Sequence, residues 1–467
     1  MEQIASPGAV HQSLTDGIGA TPLVRLDRVV DGIAAAVHVK AEYANPGGSV
    51  KDRAAYAMVT AAERDGRLPP GGTVFEGTSG NTGIGLAMVA ARRGYRCVLV
   101  VPDRTAAEKI ALLRAYGAEV VLTPGTVPQH DPRHVRRLAE RLAAETDRGW
   151  LADQYTNPAN PLVHEHTTGP EIWAQTGGRI THLVAGVGTG GTISGTARYL
   201  RATSGGRVRI VAADPATSRY SGGDGSPYTV EAVGHYLHPD TVTDEWPETY
   251  DASVVDEFVQ VPDGDAVRLV RRVAREEGML LGGSSGTALV AGLQVAAGLG
   301  PDDVVVVIAP DSGRAYLSKY FDDDWCTRLG FVDAPEGPLV RDVLPAAAPG
   351  LVVVPAGRRA GEVLAALPGD TPDVVPVVAD RAATSPDRAT GDVVGAVSVT
   401  ELRRAAPGDP VRPGPLLATI GIGEPVAAAL GRVPDDGRPL LVVADGRIVR
   451  SVPRAALTRP GAPPRPA

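Results

Sequence analysis

From about residue 35 to residue 325, short apolar runs alternate with stretches whose apolar positions recur at helical spacing. Val74-Phe75 leads through a glycine turn into an amphipathic helix, Ile84–Arg92. Cys97–Val101 follows as a buried strand, then Ala106–Tyr116 as a helix and Glu119–Leu122 as a strand. Leu183–Ala185, Val208–Ala212 and Val304–Ile308 are three further buried strands. Strands made almost wholly of Val, Ile and Leu, alternating with helices, predict an α/β fold whose parallel sheet is covered on both faces. Ligands of such sheets bind beyond the carboxyl ends of the strands, where the glycine loops of this chain stand.

The pattern changes near residue 331. Residues 331–350 are rich in proline and alanine and read as a linker. Two similar units follow. The first holds Leu351–Pro355, a helix Ala360–Leu367, a strand Val374–Val378 and the run Val394–Leu402. The second holds Leu417–Ile420, a helix Pro425–Leu430, Leu440–Val443 and Ile448–Leu457. Two β-α-β-β-α units of this size predict a paired module, 351–457, that packs sheet to sheet. The tail 458–467, with four prolines and no apolar run, is expected to be disordered.

Composition narrows the function classes. A chain of 467 residues exceeds one ordinary core, and 43% hydrophobic with 21% charged residues is the make-up of a soluble globular protein. A net charge of −8 speaks against a nucleic-acid partner and against an anionic membrane surface. No apolar run is long enough for a signal peptide or a membrane span, so the expected location is the cytoplasm. Cys97 and Cys326 stand far apart with no CxxC, which predicts neither a disulfide framework nor a metal site.

Lysine is scarce here, four residues against 42 arginines. Arginine stays protonated and cannot attack a carbonyl, whereas lysine can once its pKa falls. Lys51, in Asn45-Pro46-Gly47-Gly48-Ser49-Val50-Lys51-Asp52-Arg53, is therefore a candidate Schiff-base nucleophile, against the plainer role of decorating a helix start. A second loop, Glu76-Gly77-Thr78-Ser79-Gly80-Asn81-Thr82-Gly83, joins a strand to a helix. Its amides and the Thr78, Ser79 and Thr82 hydroxyls suit a carboxylate at that helix N-terminus, and they exceed what a simple cap needs.

The third loop, Gly186-Val187-Gly188-Thr189-Gly190-Gly191-Thr192, offers successive amides as an anion nest suited to a phosphate. It also matches GxGxxG, with Asp214 about 20 residues on, so a nicotinamide-dependent dehydrogenase competes. That reading leaves Lys51 and the Thr78–Thr82 loop without a purpose. A fourth stretch, Gly282-Gly283-Ser284-Ser285-Gly286, opens another helix and offers a hydroxyl to a neutral ring nitrogen. One amine, one phosphate nest, one hydroxyl for a ring nitrogen and one carboxylate loop together describe pyridoxal phosphate. A serine at the ring nitrogen leaves it unprotonated, which favours loss of a β-substituent over transamination.

These residues stand in an order that resembles the cystathionine β-synthases, fold-type-II pyridoxal phosphate enzymes related to the cysteine synthases. The resemblance runs from about Gly19 to Gly330 through Gly19-Ala20-Thr21-Pro22-Leu23, the Lys51 motif, the Thr78–Gly83 loop, Asp153-Gln154-Tyr155, Gly188–Thr192, Gly282–Gly286 and Pro310-Asp311-Ser312. It implies a catalytic domain, 1–330, of two open parallel-sheet subdomains, followed by two CBS-type regulatory repeats. It implies that Lys51 carries the cofactor, Asn81 bonds its 3′-oxygen, and Gly188, Thr189, Gly190, Gly191 and Thr192 hold its phosphate. Ser284 would face the ring nitrogen, and Thr78, Ser79, Thr82 and Gln154 would hold the substrate carboxylate. Trp325 and Gly330-Phe331 are closer to cystathionine synthases than to cysteine synthases. The few residues before the fold contain no cysteine, so haem is not expected.

The activity implied is β-replacement on L-serine or an activated serine, through an aminoacrylate, with L-homocysteine as nucleophile to give L-cystathionine. Sulfide as nucleophile, the cysteine synthase reaction, or another β-substituted-alanine synthesis is the alternative. The expected partners are small amino acids and further copies of the chain as a homodimer or larger homo-oligomer. Three departures stand out. Val230-Glu231-Ala232-Val233-Gly234-His235 keeps the acid of the family's second-substrate loop, with Ala232 for a glycine and His235 for a tyrosine, so Glu231 and His235 are the candidates on that side. Gly77 replaces a proline. In the repeats, Ser398 and Glu401 keep the first nucleotide motif, whereas Ser451 is followed by Arg454-Ala455 without the acid, which puts an adenosyl ligand in question.

Overall fold

The computed structural model describes residues 11–78, 80–125, 127–334, 336–344, 351–369, 371–380 and 388–458. Ser79, residues 345–350 of the expected linker and the tail from 459 lie outside the described residues. The chain divides into two compact units, one running through Gly223 with Val230–Phe321, the other comprising Asp224–Thr229 and the chain from Asp322.

The first unit holds two sheets. Its strands are β1 (Leu23–Arg25), β2 (Ala36–Ala41), β3 (Thr73–Gly77), β4 (Arg96–Pro102), β5 (Glu119–Thr123), β6 (Gly149–Leu151), β7 (His182–Gly186), β8 (Arg209–Pro215), β9 (Glu257–Val261) and β10 (Val304–Ala309). The larger sheet has the order β1-β2-β10-β7-β8-β9 and the smaller β5-β4-β3-β6. All pairs are parallel except β1 with β2. The helices are α1 (Lys51–Arg64), α2 (Asn81–Arg93), α3 (Ala107–Ala115), α4 (Val135–Glu145), α5 (Ala159–Val163), α6 (Gly169–Gln175), α7 (Gly191–Ser204), α8 (Asp263–Glu276) and α9 (Gly283–Ala296).

Each sheet has its own core. Met58 and Val59 of α1 and Leu86 and Val89 of α2 bury against Leu99 and Val101 of β4. Ile193, Ala197 and Leu200 of α7 bury with Leu183, Ile210, Val306 and Ile308 of the larger sheet. The apolar strands β4, β7, β8 and β10 were legible as runs. The strands β2, β6 and β9 were not. β6 has only three residues, and β2 reads Ala-Val-His-Val-Lys-Ala, broken by polar side chains. The break has a cause: Lys40 is fully buried and donates to Glu171 Oε2 at 2.6 Å and to the Thr21 carbonyl at 2.7 Å. Arg53 of α1 completes this network, with Nε 2.8 Å from Glu42 Oε2 and Nη1 2.7 Å from Glu171 Oε1. Burial alone would raise the Glu42 carboxyl, but Arg53, Thr21 and Lys40 together outweigh it and hold the group at about 2.

The second unit repeats one topology. β11 (Val354–Pro355) and β12 (Val374–Val378) are parallel, and β13 (Val393–Ser398) is antiparallel to β12. β14 (Thr419–Gly421), β15 (Leu440–Ala444) and β16 (Arg447–Val452) repeat that arrangement. Val378, Val393 and Ala396 share one buried cluster with Leu417, Leu441 and Ile448, so the two sheets bury a common face. The expected strand Leu351–Pro355 shrinks to its last two residues, and Val394–Leu402 divides at Ser398, whose hydroxyl accepts the Glu401 N–H and starts a helix, Val399–Arg404. Among the described residues no helix is long and apolar enough to cross a membrane.

Candidate active site

Lys51 opens α1. Its loop is fixed from both sides: Gly48 takes a φ of +86°, and the Val50 N–H donates to the Pro310 carbonyl at 2.8 Å, just beyond β10. Burial lowers the Lys51 amine to about 8, against the opposing pull of the Asp311 and Glu42 carboxylates. Near neutrality a useful fraction of this amine is unprotonated, the condition for attacking an aldehyde.

β7 delivers the glycine loop to the start of α7. Gly190 has a φ of +81°, and a Cβ there would fall 2.3 Å from Tyr250 Cβ. A Cβ on Gly191 would fall 2.3 Å from Asn160 Oδ1. Thr189 is held by Asn160 Nδ2, which donates to its hydroxyl at 3.1 Å, and by Thr249, which donates to its carbonyl at 2.7 Å. The Thr192 hydroxyl lies 3.3 Å from His164 Nε2, and burial pushes that imidazole down to about 3, so it is neutral.

Lys51, Gly188, Thr189, Gly190, Thr192 and Ser284 line a single cleft. Ser284, at the start of α9, is 1% exposed and its hydroxyl has no hydrogen-bond partner. An orphaned buried hydroxyl costs free energy unless a ligand meets it. With the amine, the glycine nest and the orphan hydroxyl in one cleft, the residues fit pyridoxal phosphate. Asp214, the acid a dinucleotide would need, is turned inward, its carboxylate accepting the Ser221 N–H at 3.0 Å.

Asn81 Nδ2 donates to Asp311 Oδ2 at 2.7 Å, and the Tyr316 hydroxyl donates to the same oxygen at 2.5 Å. Lys109 Nζ donates to Tyr316 at 2.7 Å and to Glu231 Oε2 at 3.2 Å, and Lys319 reaches the other Glu231 oxygen. The Thr78 hydroxyl accepts the Gly80 N–H at 3.0 Å, and Thr82 Oγ1 donates to Gln154 Oε1 at 2.5 Å. Glu231 thus faces two lysines. His235 does not line the cleft: its Nε2 lies 2.5 Å from Asp244 Oδ1 and its ring packs 5.1 Å from that of Tyr220. Tyr220 in turn donates to the Gly188 carbonyl at 2.8 Å. Ala232 sits at φ +68°, the left-handed conformation for which a glycine is the usual residue.

Sequence reasoning missed Lys40, Lys109, Lys319 and Tyr316. The scarcity that singled out Lys51 was the usable signal, because all four lysines fall within the first unit and three of them bind buried or half-buried carboxylates.

The family model for pyridoxal-phosphate dependent enzymes matches residues 14–311. A cystathionine beta-synthase of Apis mellifera is 42% identical over 325 residues, which are 69% of this chain and 64% of that protein. A cysteine synthase of Staphylococcus aureus is 45% identical over 317 residues, 67% of this chain and 98% of that one. Among solved structures, an O-ureido-L-serine synthase shares 40% identity at a TM-score of 0.61, over 68% of this chain and 96% of its own. A hydrogen sulfide-producing enzyme of Fusobacterium nucleatum shares 34% at a TM-score of 0.61, over 66% and 100%. The chain belongs to the fold-type-II pyridoxal-phosphate dependent enzymes, the family of the β-synthases and cysteine synthases.

Proposed function

We propose that the protein replaces the β-substituent of L-serine, or of an activated serine, with the thiol of L-homocysteine to give L-cystathionine. The observation that carries the reaction type is the shared cleft of Lys51, the Gly188–Thr192 loop and the unpartnered Ser284 hydroxyl. The cofactor, when bound, supplies an electron sink that weakens the Cα–H bond and lets the β-substituent leave. In this reading Lys51 Nζ takes the Cα proton and returns it to the leaving group. Ser284 offers a neutral hydroxyl to the ring nitrogen, and Asn81 orients the ring beside Asp311. Thr78, Ser79, Thr82 and Gln154 bind the donor carboxylate. Glu231 stands on the nucleophile side, and His235 holds that loop through Asp244.

The choice of homocysteine rests on the similarity to the Apis mellifera protein and on the second unit, which we read as a paired regulatory module. Arg454 stands where the second repeat lacks its acid, and it donates to the Val433 and Leu430 carbonyls at 2.9 Å each, an intramolecular use of that position. We assign this module to self-association rather than to an adenosyl ligand. Sulfide is the second reading, favoured by the cysteine synthase that the matched region covers almost end to end.

The deciding experiment follows the visible absorption of the cofactor-loaded protein with L-serine, then with L-homocysteine or sulfide, and identifies the product by mass spectrometry. Cystathionine formed faster than cysteine supports the first reading. Cysteine alone would hand the site to the second.

A further inference from the structure

Between β7 and α7 the glycine loop is gripped by its carbonyls. Three successive ones, on Val187, Gly188 and Thr189, each accept a hydrogen bond from a different part of the chain. The Gly234 N–H donates to the Val187 carbonyl at 2.6 Å. The Tyr220 hydroxyl donates to the Gly188 carbonyl at 2.8 Å, and the Thr249 hydroxyl to the Thr189 carbonyl at 2.7 Å. A trans peptide unit is planar, and its C=O and N–H point in opposite directions. Drawing these carbonyls toward their donors therefore turns the Gly188, Thr189 and Gly190 N–H groups the other way. Among the described residues none of these three amides has an acceptor in the chain, and all three residues line the cleft with Lys51 and Ser284. Successive N–H groups turned to one space make a seat for an anion.

Both hydroxyls are committed to this task. Thr249 has one hydroxyl proton and three carbonyls in reach, Thr189 at 2.7 Å, Tyr155 at 3.2 Å and Gln154 at 3.4 Å. The Tyr155 carbonyl already takes the Thr249 N–H at 3.1 Å, and the Gln154 carbonyl takes Asn160 Nδ2 at 2.8 Å. The hydroxyl proton therefore goes to Thr189. Tyr220 is 6% exposed, and its ring packs against those of His235 at 5.1 Å, Trp246 at 5.0 Å and Tyr250 at 5.1 Å. Contact with three rings fixes where its hydroxyl points.

We infer that Tyr220 and Thr249 are positioning residues for the cofactor phosphate. By holding the Gly188 and Thr189 carbonyls away from the cleft, they aim the Thr189 and Gly190 N–H groups at the phosphate. Neither residue lines the cleft, so each acts through the loop alone. The inference rests on the reading above that this loop takes the cofactor. It also gives the His235 ring a purpose, as one wall behind Tyr220.

The test titrates the cofactor-stripped full chain with pyridoxal phosphate and, separately, with pyridoxal, following the visible band. Pyridoxal has the same ring and aldehyde but no phosphate. The native sequence should bind pyridoxal phosphate much the more tightly. Tyr220→Phe keeps the packed ring, Thr249→Val keeps the side-chain shape, and each removes one hydroxyl. Each should raise the Kd for pyridoxal phosphate by about 3- to 10-fold, the loss of one hydrogen bond that holds the nest. The Kd for pyridoxal should stay where it is. An unchanged Kd for pyridoxal phosphate in both variants overturns the inference. So does an equal loss for the two ligands, the mark of a merely structural role. A native chain that binds the two ligands alike would instead take the phosphate away from this loop, and the reading beneath the inference would fail with it.

Discussion

The Thr82 hydroxyl donates to the Gln154 side-chain oxygen at 2.5 Å, joining residues 72 positions apart in the chain. They meet because β3 and β6, which lead to their loops, are neighbours in the smaller sheet. If this pair grips the donor carboxylate, Gln154→Ala removes one hydrogen bond to a charged group, about 1.5–3 kcal/mol. The KM for the donor should rise by about 10- to 100-fold, while the visible band of the resting protein keeps its position. Steady-state kinetics with varied donor checks this; an unchanged KM would exclude Gln154 from the carboxylate site.

Lys51→Ala should abolish turnover and the visible band. The titration of Lys51 makes a separate prediction for the cofactor-free protein. Its folded pKa is about 8, below the ordinary lysine value of 10.5, so the unfolded chain binds more protons between those pH values. Stability must therefore rise with pH across that window. Chemical denaturation from pH 7.5 to 10.5 should show a steeper upward slope in the native sequence than in Lys51→Met.

Glu76 gives the opposite sign. Its folded pKa, about 8, lies above the ordinary 4.5, so the folded protein holds a proton that the unfolded chain has lost. Its contribution is full below about pH 4.5 and fades as the pH rises toward 8. Glu76→Gln should flatten that decline, measured as midpoint denaturant concentration against pH. Parallel slopes in the two proteins would refute the buried, protonated carboxyl.

Arg53 answers two buried carboxylates, Glu42 and Glu171. Arg53→Met takes the forked cation from both, leaving Lys40 with the neutral donors Thr21, Asn45 and the Ala20 N–H. Breaking a buried ion pair costs about 3–5 kcal/mol. The unfolding midpoint should fall accordingly, and Arg53→Lys should recover only part of the loss, because lysine lacks the forked geometry. A loss below about 1 kcal/mol would show that the network is dispensable.

Much of this architecture was readable in one dimension. The buried strands β4, β7, β8 and β10 are continuous apolar runs because both faces of the sheet are covered, and each glycine loop follows its strand because the chain must turn tightly there. Lys51 announced itself by rarity. The repeated units of the second compact unit were visible in outline, although β11 kept only two residues and Val394–Leu402 split at a cap.

Periodicity reports which side of an element is buried, and the sequence therefore determined the parallel α/β class, the apolar strands β4, β7, β8 and β10 and the place of the glycine loops behind their strands. It carries no information on which distant groups share a space. That Lys40, Arg53, Glu42 and Glu171 neutralise one another, that Lys109 and Lys319 converge on Glu231, and that His235 turns to Asp244 are matters of tertiary structure. Each buried charge is tolerable only beside its counter-charge, and only the folded chain brings the two together.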